Sequence, residues 1–218
     1  MRIFTALACT AALCASAQAT VISGQVTGGS ALTNGGTFII LDLPFTDSTP
    51  DNTVGNNNFQ NPNVYAFDEE QNVDSGMVGI MTDVGMNVAP NAVVASHYIV
   101  FDPAVSRSVT AIITFDAPVV GIATQTATLA ASDFLANTGV TYLNPGLRGL
   151  ENVDSVSVVM GDPNSIMIDF TASSPGDSIR VFTEFSPGAE IPVPAGVWLF
   201  GSGAAMLASR MRRRKAVS

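Results

Sequence analysis

The residues able to do chemistry are few, and their types narrow the field. The 218-residue chain has one histidine, His97, and two cysteines, Cys9 and Cys14. A single histidine cannot build a His-rich zinc site, and neither a zincin nor a nucleophile-elbow motif occurs. A Ser/His/Asp triad through His97 is combinatorially available. However, His97 falls on the same strand face as Val93, Ala95, Ile99 and Phe101, which predicts a packed, hydrogen-bonded histidine instead. Asp68, Glu69 and Glu70 form a charge run whose simplest reading is a solvated edge or turn. Paired carboxylates for glycoside hydrolysis stay open as an alternative, because acids distant in sequence meet only in the fold.

Residues 47–63 are rich in oxygen ligands, with Asp47, Asp51, Asn52, Asn56, Asn57, Asn58, Asn61 and Asn63 among few apolar side chains. A long loop is the default for such a composition. Calcium is the alternative, since it takes hard oxygen donors, and Asp47, Asp51 and Asn56 are its candidate ligands. The EF-hand order with Gly at its sixth place and a closing Glu is absent, so no cofactor is expected otherwise.

Charge excludes a further class. All eighteen acidic residues lie between Asp42 and Glu190, against three basic ones there, Arg107, Arg148 and Arg180, a net charge of −15. Such a surface repels phosphate backbones, so nucleic acid is not an expected partner. With Tyr65, Tyr98 and Tyr142 as the tyrosines and no Trp before the tail, flat platforms for sugar stacking have few candidates.

The elements that must position these groups read as strands. Between Ser108 and Asp116, Val109, Ala111, Ile113 and Phe115 alternate with Ser108, Thr110, Thr114 and Asp116, the pattern of a half-buried strand. Further candidates are 37–43, 64–68, 93–101, 119–124, 155–160, 166–170 and 178–185. They are punctuated by Gly35-Gly36, Asn144-Pro145-Gly146, Gly161-Asp162-Pro163-Asn164 and Pro175-Gly176-Asp177. Residues 132–136 suit a single helical turn capped by Ser132. The expected fold is therefore all-β, a β-sandwich or jelly-roll-like ectodomain over residues 20–187.

The two ends carry addresses. Arg2, the apolar run 3–15 and Ala17-Gln18-Ala19 read as a secretory signal peptide, residues 1–19, cut before Thr20. Both cysteines fall inside it, which leaves the exported domain without a disulfide or a thiol. In the tail, 188–218, the uncharged run 195–209 is followed by Arg210, Arg212, Arg213, Arg214 and Lys215. A fifteen-residue helix covers about 22 Å, short of a hydrocarbon core of ~30 Å. Snorkelling by Arg210 and an extended entry through Pro192 and Pro194 make up the difference and allow a single transmembrane helix. The basic block sets its C-terminal end in the cytoplasm.

Pro192-Val193-Pro194-Ala195, an apolar span with Gly201-Ser202-Gly203, and Arg212-Arg213-Arg214-Lys215 together resemble the PEP-CTERM sorting tail, with Val193 in place of the Glu of the eponymous motif. The resemblance covers about twenty-five residues. It implies an exosortase as processing partner, an inner-membrane-anchored precursor, and a final place at the cell surface or outside the cell in exopolysaccharide. Residues 97–184 also resemble the β-domain that often precedes such tails, through Ser96-His97-Tyr98, Phe115-Asp116, 131–135 and 179–182. The expectation is a non-enzymatic surface or matrix protein, with a carbohydrate- or calcium-binding module and a carboxylate-dependent hydrolase as alternatives.

Overall fold

The strand signals that dominate the sequence also dominate the computed structural model, which describes residues 20–173 and 175–185. The segments expected to be a leader, 1–19, and a tail with a membrane helix and Pro motif, 188–218, lie outside the described residues. In chain order the elements are β1 (Val21–Gly28), a short helix α1 (Gly29–Thr33), β2 (Phe38–Ile40), β3 (Thr53–Val54), β4 (Val64–Asp68), β5 (Val73–Asp74) and β6 (Val84–Gly85). There follow β7 (Val93–Phe101), β8 (Arg107–Phe115), β9 (Val119–Ala123), the helix α2 (Thr126–Ala131), β10 (Thr141–Tyr142), β11 (Ser155–Val159), β12 (Asp162–Ala172) and β13 (Asp177–Glu184). The fold is all-β.

Apart from β3 and β10, which form a separate parallel pair, two larger sheets organise these strands. One is four-stranded in the order β1-β8-β12-β11; the other is seven-stranded in the order β2-β4-β7-β13-β9-β6, with β5 also on β7. They share a core. Val109, Ala111, Ile113 and Phe115 of β8 and Ile166, Ile168 and Phe170 of β12 pack with Ile99 and Phe101 of β7 and Ile179 and Val181 of β13. The expected alternation in β8 holds, with those four residues buried and Ile112 exposed between them.

The central strands differ from β8 because both their faces are covered. In β7 only Val93 is exposed, and in β13 only Glu184. Their second face carries a separate apolar layer, where Tyr98, Val100 and Phe182 meet Phe45, Phe59, Phe67, Leu129 and Leu135. A strand buried on both sides loses the polar half of its alternation, and β7 reads accordingly as a mainly apolar run, whereas β13 keeps Ser178, Arg180 and Thr183 and buries them with hydrogen-bond partners.

One local expectation is corrected and two are borne out with added detail. Residues 47–63 form the expected long loop, interrupted by the two-residue β3 and pinned from within: Asn58 Nδ2 donates to Thr49 O at 2.8 Å and to Thr53 Oγ1 at 2.9 Å, and Phe59 stacks on Tyr65 with ring centroids 4.3 Å apart. The turn expected over 161–164 is confined to Met160 and Gly161, where Gly161 has φ +84°, and β12 already begins at Asp162. The single helical turn expected over 132–136 is present as a 3-10 turn, Asp133–Leu135, with Ser132 in the N-cap position but no side-chain hydrogen bond from it, and the helix α2 ahead of it, beginning at Thr126, goes beyond the expectation. There the Asp83 carboxylate accepts the Thr124 amide at 2.6 Å and the Gln125 amide at 3.0 Å, supplying the N-terminal acceptor from a distant loop.

Candidate functional site

The polar chemistry gathers at β4, and the period of two along that strand divides it. Asp68 and Glu69 are adjacent in sequence and so point to opposite faces of the sheet. Asp68 meets His97 on the core side, and Glu69 meets Arg180 on the outer side. The expectation of a solvated edge for this run is therefore overturned for Glu69, which is buried, and for Asp68, which is mostly covered.

On the core side His97 Nδ1 lies 2.6 Å from Asp68 Oδ1 and Nε2 lies 3.1 Å from Thr183 Oγ1. Asp68 Oδ1 also accepts the Val21 amide at 3.1 Å, tying the start of β1 to the same point. The order acid, imidazole, hydroxyl is that of a catalytic triad. Access is missing: His97 and Thr183 are fully buried, and the imidazole packs on Phe115 at 4.8 Å between ring centroids. The packed, hydrogen-bonded histidine expected from the sequence is what the structure contains.

The outer side holds the larger network. Arg180 Nε and Nη2 donate to Glu69 Oε2 and Oε1 at 2.5 and 2.8 Å, a bidentate pair with both side chains wholly buried. Arg180 Nη1 donates to Leu129 O at 2.9 Å, Ser132 Oγ at 2.8 Å and Asp133 Oδ1 at 3.2 Å. Glu69 also accepts the Ser96 hydroxyl at 2.6 Å and the Tyr142 hydroxyl at 2.7 Å, which fills its lone pairs. Arg148 extends the chain of charges through a second bidentate pair to Asp133, at 2.7 and 2.8 Å. Tyr98 lies beneath Arg180, its ring centroid 5.7 Å from the guanidinium carbon.

Titration follows from these contacts. Burial pushes the Tyr98 hydroxyl up to about 12, and burial together with the Glu69 carboxylate raises Tyr142 above the usual tyrosine range. Burial opposes ionisation of Asp133, yet the Arg148 hydrogen bonds and charge, with Arg180 behind them, hold its carboxyl below the usual range. For Arg180 burial disfavours the cation, and the Glu69 charge outweighs it so that the pKa is raised. The network is thus an arrangement of fixed charges with every strong donor and acceptor of its central pair engaged.

Asp177, at the start of β13, is the buried acid that lacks such support. It is 4% exposed, and its Oδ2 makes no hydrogen bond. Burial, with the charges of Asp154 and Glu151, lifts it to about 8.

Two recesses lie on this side of the protein. One is a crevice between Gly55, Asn56, Tyr98, Asn144 and Arg148 with room for about one water molecule, and no carboxylate lines it. The other is an open groove of about 800 Å³ between residues 74–81 and the segment Ala127 to Phe134, with Asp74 as its one carboxylate. Neither recess brings two carboxylates together. Asp47 and Asp51 are exposed and Asn56 borders the crevice. Among the described residues no three His, Cys, Asp or Glu side chains converge in a way that could hold a metal ion. Tyr65 and Tyr98 are buried in the outer apolar layer, where neither can present a face to a sugar. Pro192, Val193, Pro194 and Ala195, expected to form a sorting motif, and the basic residues Arg210, Arg212, Arg213, Arg214 and Lys215 lie outside the described residues. Among the described residues no helix is long and apolar enough to cross a membrane. No protein-family model, curated protein or solved structure matches the chain.

Two outcomes are expected. Replacing Glu69 with Ala strands a buried guanidinium and should cost about 3–5 kcal/mol in a urea titration. The double change Glu69→Leu with Arg180→Met should cost less than either single truncation, because no charge is left unpaired; a loss under about 1 kcal/mol for Glu69→Ala would contradict this. For Asp177, the native state keeps its proton between the ordinary carboxylate pKa and about 8, while the unfolded chain has released it. Stability therefore falls as pH rises through that interval. Asp177→Asn should remove this slope and raise the melting temperature relative to the parent at pH 8.5 but not at pH 4; parallel curves for the two proteins would contradict it.

Proposed function

We propose that this chain is a non-enzymatic exported protein of the cell surface or exopolysaccharide matrix. In this reading the described domain is a β-sandwich that crosses the membrane behind its leader. It is held there by the 195–209 span and is then processed by an exosortase at Pro192-Val193-Pro194-Ala195. The observation that carries the reading is the order of three parts at the end of the sequence: a Pro-bracketed entry, an uncharged run and a basic block, placed after an acidic domain. Two features of the domain support it. Its buried ion pairs are saturated internally, and neither recess pairs the carboxylates that hydrolysis of a glycoside requires.

The chemistry of processing rests on backbone shape. A membrane protease needs an extended segment at the interface, and Pro192 and Pro194 keep residues 191–194 from joining the helix that begins at about Ala195. Changing both prolines to Ala lets that helix grow toward the domain. In the native host the double variant should accumulate as the longer, membrane-bound form on an immunoblot, whereas the parent appears in two sizes. An unchanged size pattern in the double variant would sink the sorting role of the motif and leave a permanent anchor.

A further inference from the structure

The open groove gathers four strongly exposed apolar side chains of the domain. Met77 is 87% exposed, Val78 92%, Met81 71% and Phe134 53%, and the four share one groove with Gly76, Ala127 and Ala131. Asp74 is the only charged residue that lines it. An apolar patch of this kind on an otherwise acidic protein marks a surface that meets something other than water.

The sheet register says where that surface lies. Glu184, the last residue of β13, is paired with Val94 of β7. On the other edge of β7, Val73 and Asp74 are paired with Val94 and Val93. Phe185 therefore leaves the sheet about two strand spacings, roughly 10 Å, from Asp74 of the groove. Phe185 is itself 44% exposed. From there nine residues, 186–194, lead to the apolar run at Ala195. Fully extended they reach roughly 30 Å.

We propose that this groove is a lipid-facing surface, which rests on the reading of 195–209 as a membrane span. Nine residues keep the domain within reach of the bilayer, and the groove is an exposed apolar surface near the residue from which that segment starts. Met77, Val78, Met81 and Phe134 enter the interfacial layer, where the flexible thioethers of Met77 and Met81 adapt to irregular packing. The absence of lysine or arginine from the lining, with Asp74 present, selects zwitterionic over anionic headgroups.

The test places a reporter on the rim of the full mature chain, residues 20–218. Trp198 is the single natural tryptophan, so Trp198→Phe gives a silent background. Val78→Trp then adds an indole at the groove, and Met160→Trp adds one at a 99% exposed position on the β11 to β12 turn as reference. Both positions are on the surface, so neither change disturbs the core. Each protein is reconstituted in phosphatidylcholine vesicles with and without brominated acyl chains. The expected result is at least twofold quenching of the indole at position 78 and none at position 160. If the chain floats with the vesicles and position 78 is unquenched, the groove faces water, the tail or a second copy, and the proposal fails while the tail reading stands. Equal quenching at both positions means unoriented adsorption and also overturns it. A chain that does not float with vesicles overturns the tail reading, and the proposal with it.

Discussion

The bidentate pair between Glu69 and Arg180 is the constraint on which the outer half of this domain depends. It lies on the face of the seven-stranded sheet that points away from the shared core, with both partners fully buried. Several elements packed on that face touch it. The carbonyl of Leu129 and the hydroxyl of Ser132 bring in the end of α2, Asp133 brings in Arg148, and Tyr142 brings in the strand β10. Removing two charges from water costs several kcal/mol for each ion even after relaxation. That cost is offset here because each oxygen of Glu69 accepts two hydrogen bonds and the guanidinium is engaged at all three nitrogens. The pair ties the end of α2 and β10 to the sheet, alongside apolar contacts and other hydrogen bonds such as those that Asp102 accepts from the amides of Asn57 and Phe59.

Legibility in the sequence follows the range of the interactions. Residues 64–68 and 93–101 were readable to their observed bounds because both are mainly apolar and rich in β-branched and aromatic residues, with Asp68 closing the first and Ser96-His97 as the polar pair in the second. β1 was not readable as a strand: within Val21–Gly28 only Val21 and Val26 are buried, so no period emerges. α2 was missed for a different reason, since its N-terminal acceptor, Asp83, lies 41 to 45 positions upstream of the groups it binds. The run Asp68-Glu69-Glu70 misled because His97 and Arg180 are 29 and 111 positions away. One signal for the site was present: Arg180 is a lone cation inside an apolar strand, and a cation there requires a buried acid.

The same pairings bear on function. His97, Asp68 and Thr183 have the order of a triad, but a triad works on a substrate that reaches its hydroxyl, and these groups are sealed in the core against Phe115. Glu69 is spent on Arg180. Residues 42–190 carry a net charge of −15, which favours solubility, and the described surface also bears an open apolar groove. A domain of this kind has its work assigned by where it is delivered, and on this account the tail assigns it.

The intact mass of the protein recovered from its native host tests that claim most directly. The account predicts a chain that begins at Thr20 and ends between Glu190 and Ala195, found outside the inner membrane. Recovery from every fraction of a single species that runs through to Ser218 would contradict it.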